Sequence, residues 1–278
     1  MRTGVAPWRN PQILLWAVLL VLLAIVTVPI FWAILASFKT NMEIVNQPFS
    51  LPKTWNFDNY VKAWNLGNFN SYFWNTTLIT IGGMVLVLVV ACPAGYAFAQ
   101  MKFKGNNLLF YLFLLGMALP VQAIIIPVFY QLKTFGLVDS LSGVVLVSAG
   151  LALPFSVFLM RNSMKDIQKE LRESAYVDGA SEWRAFFSIM LPLAKPAVVA
   201  LLVFTFMSIW NDFLLPLVLL ISNDKFTLSL GLLSFQGENS TNFGLIFAGT
   251  VISMIPSIIV YLIFQRQFVE GMSEGAVK

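Results

Sequence analysis

Residues 76–99 read TTLITIGGMVLVLVVACPAGYAFA, an unbroken stretch with no charged side chain. A helix needs about 20 apolar residues to cross a bilayer, so this stretch alone is long enough. It sits inside a longer uncharged run of 39 residues between Lys62 and Lys102, whose start, Leu66 to Asn75, reads as a polar approach. Four more runs share this character: 29 uncharged residues between Arg9 and Lys39, 28 between Lys104 and Lys133, 21 between Asp139 and Arg161, and 27 between Glu238 and Arg266. Each is expected to hold one helix. A sixth run is shorter, with 16 residues between Lys195 and Asp212, but apolar sequence resumes over Phe213–Ile221. A helix starting near Pro196 brings Asp212 close to the far interface, roughly 24 Å away at 1.5 Å per residue. The expected fold is an all-α membrane protein, a single domain over 1–278. Its six transmembrane helices run at about 13–38, 76–99, 108–131, 140–160, 196–220 and 243–264.

Composition excludes the other classes. Hydrophobic residues make up 58% of the chain and charged ones 11%, against about 45–50% and 25% in soluble domains. So few charges cannot cover a soluble surface, and so apolar a chain is not disordered. One cysteine, Cys92, excludes an internal disulfide framework, and the absence of histidine excludes a His-based zinc site, triad or proton relay. The apolar run Ile13–Phe38 is far longer than the roughly 7–15-residue core of a signal peptide, so it reads as a retained first helix. With the N-terminus inside, inner segments carry 12 basic residues and outer ones 5, while acidic residues split 7 against 6. By the positive-inside rule both termini are expected in the cytoplasm. The net charge of +4 then records topology, and no nucleic-acid role is implied. Apart from Asp212 no span is charged, unlike the usual ion-coupled carrier. No Gly-Lys dipeptide occurs, so no P-loop is present. Uphill transport would draw its energy from another polypeptide.

The charges gather in 161–195, which holds six basic and five acidic residues. Ile167, Leu171 and Ala175 draw one apolar stripe along a short helix over Asp166–Val177. Gly179 stands where a left-handed stop is expected, and Ser181 and Glu182 suit the start of a second helix. In that helix Trp183, Phe186, Phe187 and Met190 fall at i, i+3, i+4 and i+7, and Pro192 ends it. The segment reads as helix, glycine turn, helix, between spans four and five on the inner face. A hairpin lying on the membrane is one reading. The mixed charges around a narrow apolar ridge suit a groove on another protein instead.

Glu173-Ser174-Ala175-Tyr176-Val177-Asp178-Gly179-Ala180, followed by Ile189, Leu191, Pro192 and Pro196, resembles the EAA loop of ABC-transporter membrane permeases. The family pattern is Glu-Ala-Ala, three residues, Gly, nine residues, Ile, one residue, Leu-Pro. Every spacing matches, and Ser174 is the one departure. Shorter likenesses follow in the right order: Phe57-Asp58-Asn59-Tyr60 before the second span, Ala94–Ala99 with Phe103-Lys104-Gly105 at its end, Trp210-Asn211-Asp212-Phe213, and the tail Gly271–Lys278. The last two resemble the carbohydrate-uptake branch, of the maltose-permease second-subunit type.

The resemblance implies a membrane subunit without catalytic activity or cofactor of its own, in a bacterial or archaeal plasma (inner) membrane. A second permease chain, related but different, would complete the translocation path. Two cytoplasmic ATPase subunits would bind ATP and Mg, and an extracellular or periplasmic binding protein would deliver the solute. The first loop helix, Glu173 included, would dock into an ATPase cleft, with Gly179 holding the turn. For the path, the polar residues in or beside spans are Asn75, Gln122, Gln131, Trp210, Asn211 and Asp212. Their plainer reading is helix–helix and interface polarity. Pro93, Pro120, Pro127, Pro154 and Pro256 are candidates for kinks around a cavity. Three other readings stand beside the sugar importer: a permease for another solute such as a glycerol phosphodiester, a stand-alone channel or carrier, and a membrane anchor without a path.

Overall fold

The computed structural model describes residues 11–237 and 241–276. Arg2, Arg9, Glu238 and Lys278, which entered the charge count, and Val277 of the tail motif lie outside the described residues. Within them the chain is helical, with one isolated bridge between Gln236 and Thr241. It divides into two packing units. One runs up to Gly67 and takes in Leu232–Ile252; the other comprises Asn68–Gly231 and the residues from Ser253 on.

The first unit holds α1 (Pro11–Ser37), α2 (Asn41–Asn46) and α3 (Asp58–Leu66). Most of α1 is exposed and apolar along its length, as a lipid-facing helix requires. Its end is tied down. A helix leaves its last carbonyls without partners, and the Asn59 side-chain amide donates to Ser37 O (2.8 Å) and Lys39 O (2.9 Å). Tyr60 and Ser37 share a hydroxyl hydrogen bond of 2.6 Å. The Asn-Tyr pair noted in the sequence therefore fastens α1. Lys39 is fully buried, its ammonium donating to Gln47 O and Pro48 O at 3.0 Å each.

The second unit is built on α4 (Phe69–Gln100) and α7 (Leu141–Lys165). Gly83, Val87, Ala91 and Gly95 recur at four-residue spacing along the buried face of α4. Such small side chains let helices approach closely in a membrane. At Gly95 the approach is close and partly to backbone: a Cβ there would lie 2.5 Å from Met160 Cβ and 2.9 Å from Arg161 N. The core collects Val87, Ala91, Cys92, Val157, Met160, Phe186 and Met190 where α4 and α7 meet the helices that follow 180.

Among the described residues, four continuous helices are long and apolar enough to cross a membrane, or up to six segments if each of two bent pairs counts as one. The bent pairs correct two expectations. The run expected to hold one helix at 108–131 holds α5 (Asn106–Leu115), extended by a 3-10 turn to Ala118, and α6 (Val121–Thr134), bent 101° apart. Pro120 lacks an N–H and holds the preceding residue out of the helical region; Leu119 is accordingly extended, at φ −81°, ψ 113°. Pro93, Pro127, Pro154 and Pro256 lie within continuous helices. The expected span 196–220 is likewise not one helix. It comprises α10 (Lys195–Trp210), a break at Asn211–Phe213, and α11 (Leu214–Leu219). α10 is preceded by α9 (Glu182–Leu193) at an angle of 77°. After α11 come α12 (Leu228–Gly231) and the long α13 (Phe243–Ala276).

Asp139, at φ 55°, staples the loop after α11. It accepts from Ile221 N and Ser222 N at 2.9 Å each, and from the Lys225 ammonium at 2.9 Å. The Ser222 hydroxyl and backbone donors, then Ile221 and Lys225, hold its carboxyl far below the usual carboxylate range. A lowered folded-state pKa stabilises the fold above the ordinary value, and that contribution fades as pH falls toward the folded one. Asp139→Asn is expected to lower the unfolding midpoint at pH 7 by about 2–4 °C, one hydrogen bond's worth in a chain of this size. The gap to wild type should begin to narrow below about pH 4 and keep narrowing as the same melts are taken lower; a constant gap would refute the staple.

Candidate functional site

The charged segment opens where α7 ends. α8 (Lys169–Val177) begins three residues beyond the expected Asp166, because Asp166 closes α7 and Gln168 is extended at ψ 129°. Its C-terminus closes on two backbone bonds, Gly179 N to Tyr176 O and Ala180 N to Ala175 O, both 2.9 Å. This crossed pair is the Schellman arrangement, which needs a left-handed residue, and Gly179 has φ +79°. The Ser181 hydroxyl then accepts from Arg184 N and starts α9.

α9 contains a π-helical turn, Phe186–Met190, in which Leu191 N reaches back five residues to Phe186 O. The wider turn fits a stretch where Pro192 has no N–H to donate. It also divides the expected apolar face. Phe186 and Met190 are buried in the core, whereas Trp183 and Phe187 stack on each other outside, 64% and 58% exposed. Ile189 and Leu191 pack against the core, and Pro192 is exposed. On α8, Ala175 is buried and Leu171 and Val177 are exposed. Glu173, Ser174, Asp178 and Gly179 are exposed, and Ala180 is half-buried.

Behind this surface lies a network that sequence reasoning missed. The Arg172 guanidinium donates to both Glu182 carboxylate oxygens, at 2.8 and 3.1 Å. It also reaches the Tyr96 hydroxyl (3.0 Å) and Gln100 O (3.1 Å). Tyr96 in turn donates to Glu182 at 2.7 Å. The forked geometry matches Arg to carboxylate and binds both halves of the hairpin to the end of α4. The opposite charges at 172 and 182 were visible in the sequence. Their meeting depends on the glycine turn.

The path candidates do not converge. Asn75 donates to Asp224 O (2.8 Å) and Phe226 O (3.0 Å), pinning a loop. Trp210 is buried, stacked on Phe206 with its indole N–H on Ser253 O. Asn211 bridges Met207 O and the Ser257 hydroxyl. Gln122 is exposed near the start of α6, and Gln131 lines an apolar hollow between α6 and α7. Asp212 alone of the six lines a cavity of about 390 Å³, bordered by Met117, Leu119 and Val121 at the break in the bent span and by Ser148 and Ser208. Among the described residues, no group of three or more acidic, Cys or His side chains is placed to hold a metal ion.

Comparison with known proteins gives a consistent result. The family described as binding-protein-dependent transport system inner membrane component matches residues 91–274. The diacetylchitobiose uptake system permease protein NgcG of Streptomyces coelicolor is 36% identical, over 96% of this chain and 87% of that protein. The lactose transport system permease protein LacG of Rhizobium radiobacter is 32% identical over 97% of each. Among solved structures, a chain of a bacterial ABC transporter that imports the acidic polysaccharide alginate superposes with a TM-score of 0.82. It is 25% identical, with 96% of this chain and 100% of that one covered.

Proposed function

The chain belongs to the binding-protein-dependent transport system inner membrane component family, and from that membership we propose that it carries a sugar or oligosaccharide through the membrane as one permease subunit of an ATP-driven importer. It is a transport subunit and not an enzyme; ATP hydrolysis falls to partner ATPase subunits. A second permease subunit and an external binding protein complete the assembly, in a bacterial inner membrane. The sugar reading is supported by relatives whose names specify diacetylchitobiose, arabinooligosaccharides and lactose.

The 161–195 segment is the proposed ATPase-coupling element, with Glu173, Ser174, Ala175, Asp178, Gly179, Ala180, Ile189, Leu191 and Pro192 as its residues. The single observation that carries this is the two-sided build of the hairpin. Its inner side is locked to α4 by Arg172 and Glu182, while Leu171, Glu173, Val177, Trp183 and Phe187 are all exposed. Exposed apolar and charged side chains on an element tied down from behind suit a groove on a partner protein. We read both termini and this segment as cytoplasmic, and 1–278 as one permease domain. Reporters fused after Lys278 and inserted within 161–195 should both report the cytoplasm, and either one outside overturns that topology. Function itself is tested by purifying the intact complex, identifying its subunits, and measuring ATP-dependent uptake across a sugar panel. An intact complex that moves no sugar refutes the substrate class.

A further inference from the structure

Among the described residues, Arg172 is the one side chain of α8 that hydrogen-bonds another element. Ala175 is buried, but Leu171, Glu173 and Val177 on the same helix are exposed, so α8 takes much of its orientation from that guanidinium. It grips α4 at two points, Nε donating to the Tyr96 hydroxyl (3.0 Å) and Nη1 to Gln100 O (3.1 Å). Residues four apart lie one turn apart on one face of a helix, and a planar fork held at two points is fixed in direction as well as position. Nη2 meanwhile reaches both Glu182 oxygens at the start of α9. Tyr96 closes the triangle: its hydroxyl donates to Glu182 (2.7 Å), and its ring packs against Phe186 of α9 with centroids 5.2 Å apart. One residue earlier, Gly95 is a point of close approach to the backbone of α7. The Gln100 side-chain amide donates to Met164 O of α7 at 2.6 Å. Hairpin, α4 and α7 therefore meet at one joint.

Stability is not what this joint chiefly supplies. The Arg172 and Glu182 side chains are 20% and 31% exposed, and ion pairs so open to water add little to a fold. What a forked pair adds is a fixed geometry. We propose that Tyr96, Arg172 and Glu182 are positioning residues for ATP-driven transport, which make the hairpin and α4 turn as one body. A movement imposed on α8 then reaches the paired α4 and α7 without passing along the chain through α9. With the grip gone, α8 would follow its partner by pivoting on the glycine turn, and α4 would stay behind. The inference deepens the coupling reading above and rests on it.

The test uses the intact complex in proteoliposomes, with Cys92 replaced by serine. Nitroxides are attached through Val177→Cys on α8 and Val85→Cys on α4, both exposed positions. Pulsed EPR should give one distance distribution between the two labels, and ATP, added without Mg to prevent hydrolysis, should leave it unchanged. Arg172→Lys keeps the charge but offers a single point donor. In that variant ATP should shift the distance by half a helical turn, about 3 Å, or more. Tyr96→Phe keeps the ring, loses the hydroxyl, and should respond in the same direction; it decides if Arg172→Lys does not assemble. The thermal midpoint, which a merely structural role would lower, should stay within about 2 °C of the parent's. An ATP-dependent distance in the parent, or an unchanged one in the variants, overturns the joint. The line shape of the label at 177 tests the underlying reading separately. A nitroxide that stays fully mobile there in the assembled complex shows that the hairpin docks on no ATPase, and the coupling reading falls.

Discussion

Gly179→Val is expected to abolish ATP-driven uptake while the membrane helices stay folded and the unfolding midpoint barely moves. At φ +79° position 179 is in the left-handed region, which costs a non-glycine residue roughly 1–2 kcal/mol and a β-branched one more. The strain is purely backbone, because no atom lies within 4 Å of where a Cβ would stand. The chain relieves it by giving up the two bonds that close α8, from Gly179 N to Tyr176 O and from Ala180 N to Ala175 O. α8 then keeps Arg172 as a tether but loses its direction, and the exposed Glu173 and Val177, one turn apart, no longer meet the proposed groove together. Gly179→Asn, which tolerates the left-handed region, should retain most uptake. Glu173→Lys, at an exposed position, should weaken coupling through the contact rather than the turn. ATPase activity and uptake are measured on the same reconstituted complex. Full uptake with normal subunit composition in both Gly179→Val and Glu173→Lys would end the coupling assignment.

Gly95→Val should fail at an earlier stage, as loss of folded protein. A Cβ at 95 would lie 2.5 Å from Met160 Cβ, 2.9 Å from Arg161 N and 3.0 Å from Met160 C. Two of those atoms are backbone and cannot swing aside. Restoring ordinary contact means parting α4 from α7 by about 1 Å, which strips contacts from Ala91, Cys92, Val157 and Met160 at the core. Overpacking alone costs about 1–3 kcal/mol, and the lost packing adds to it. Gly150→Ala is the control. Its Cβ meets nothing within 4 Å, and removing a glycine from a helix interior gains up to about 1 kcal/mol. Monodisperse yield after detergent extraction and the thermal midpoint report the difference. Equal behaviour of Gly95→Val and Gly150→Ala would show that the helix contact is not tight.

The all-helical membrane class, with four to six candidate crossings, the glycine stop at 179 and the helix start at Ser181 were legible because each depends on local chemistry: charge-free length, a left-handed turn, a capping hydroxyl. What escaped was direction and pairing. A charge-free run has the same composition whether its helix is straight or folded back, so the 101° bend at Pro120 left no mark that distinguished it from Pro127, which stays inside α6. Asn75 read as a lone polar group in a span, but its partners at Asp224 and Phe226 lie about 150 positions away. The Tyr96–Arg172–Glu182 network was hidden for the same reason.

The elbow between α9 and α10 has a mechanical consequence. Ala194, 1% exposed, sits at the corner where the two helices meet at 77°. Helices are stiff along their axes, so a push on α9 from the hairpin side becomes rotation of α10 about that corner. α10 has 16 residues, about 24 Å of lever arm at 1.5 Å per residue, so a tilt of about 10° sweeps its far end through about 4 Å. That far end is Trp210, and Asp212 follows two residues later. In the proposed coupling role, a displacement at the hairpin would thereby be carried to the wall of the cavity.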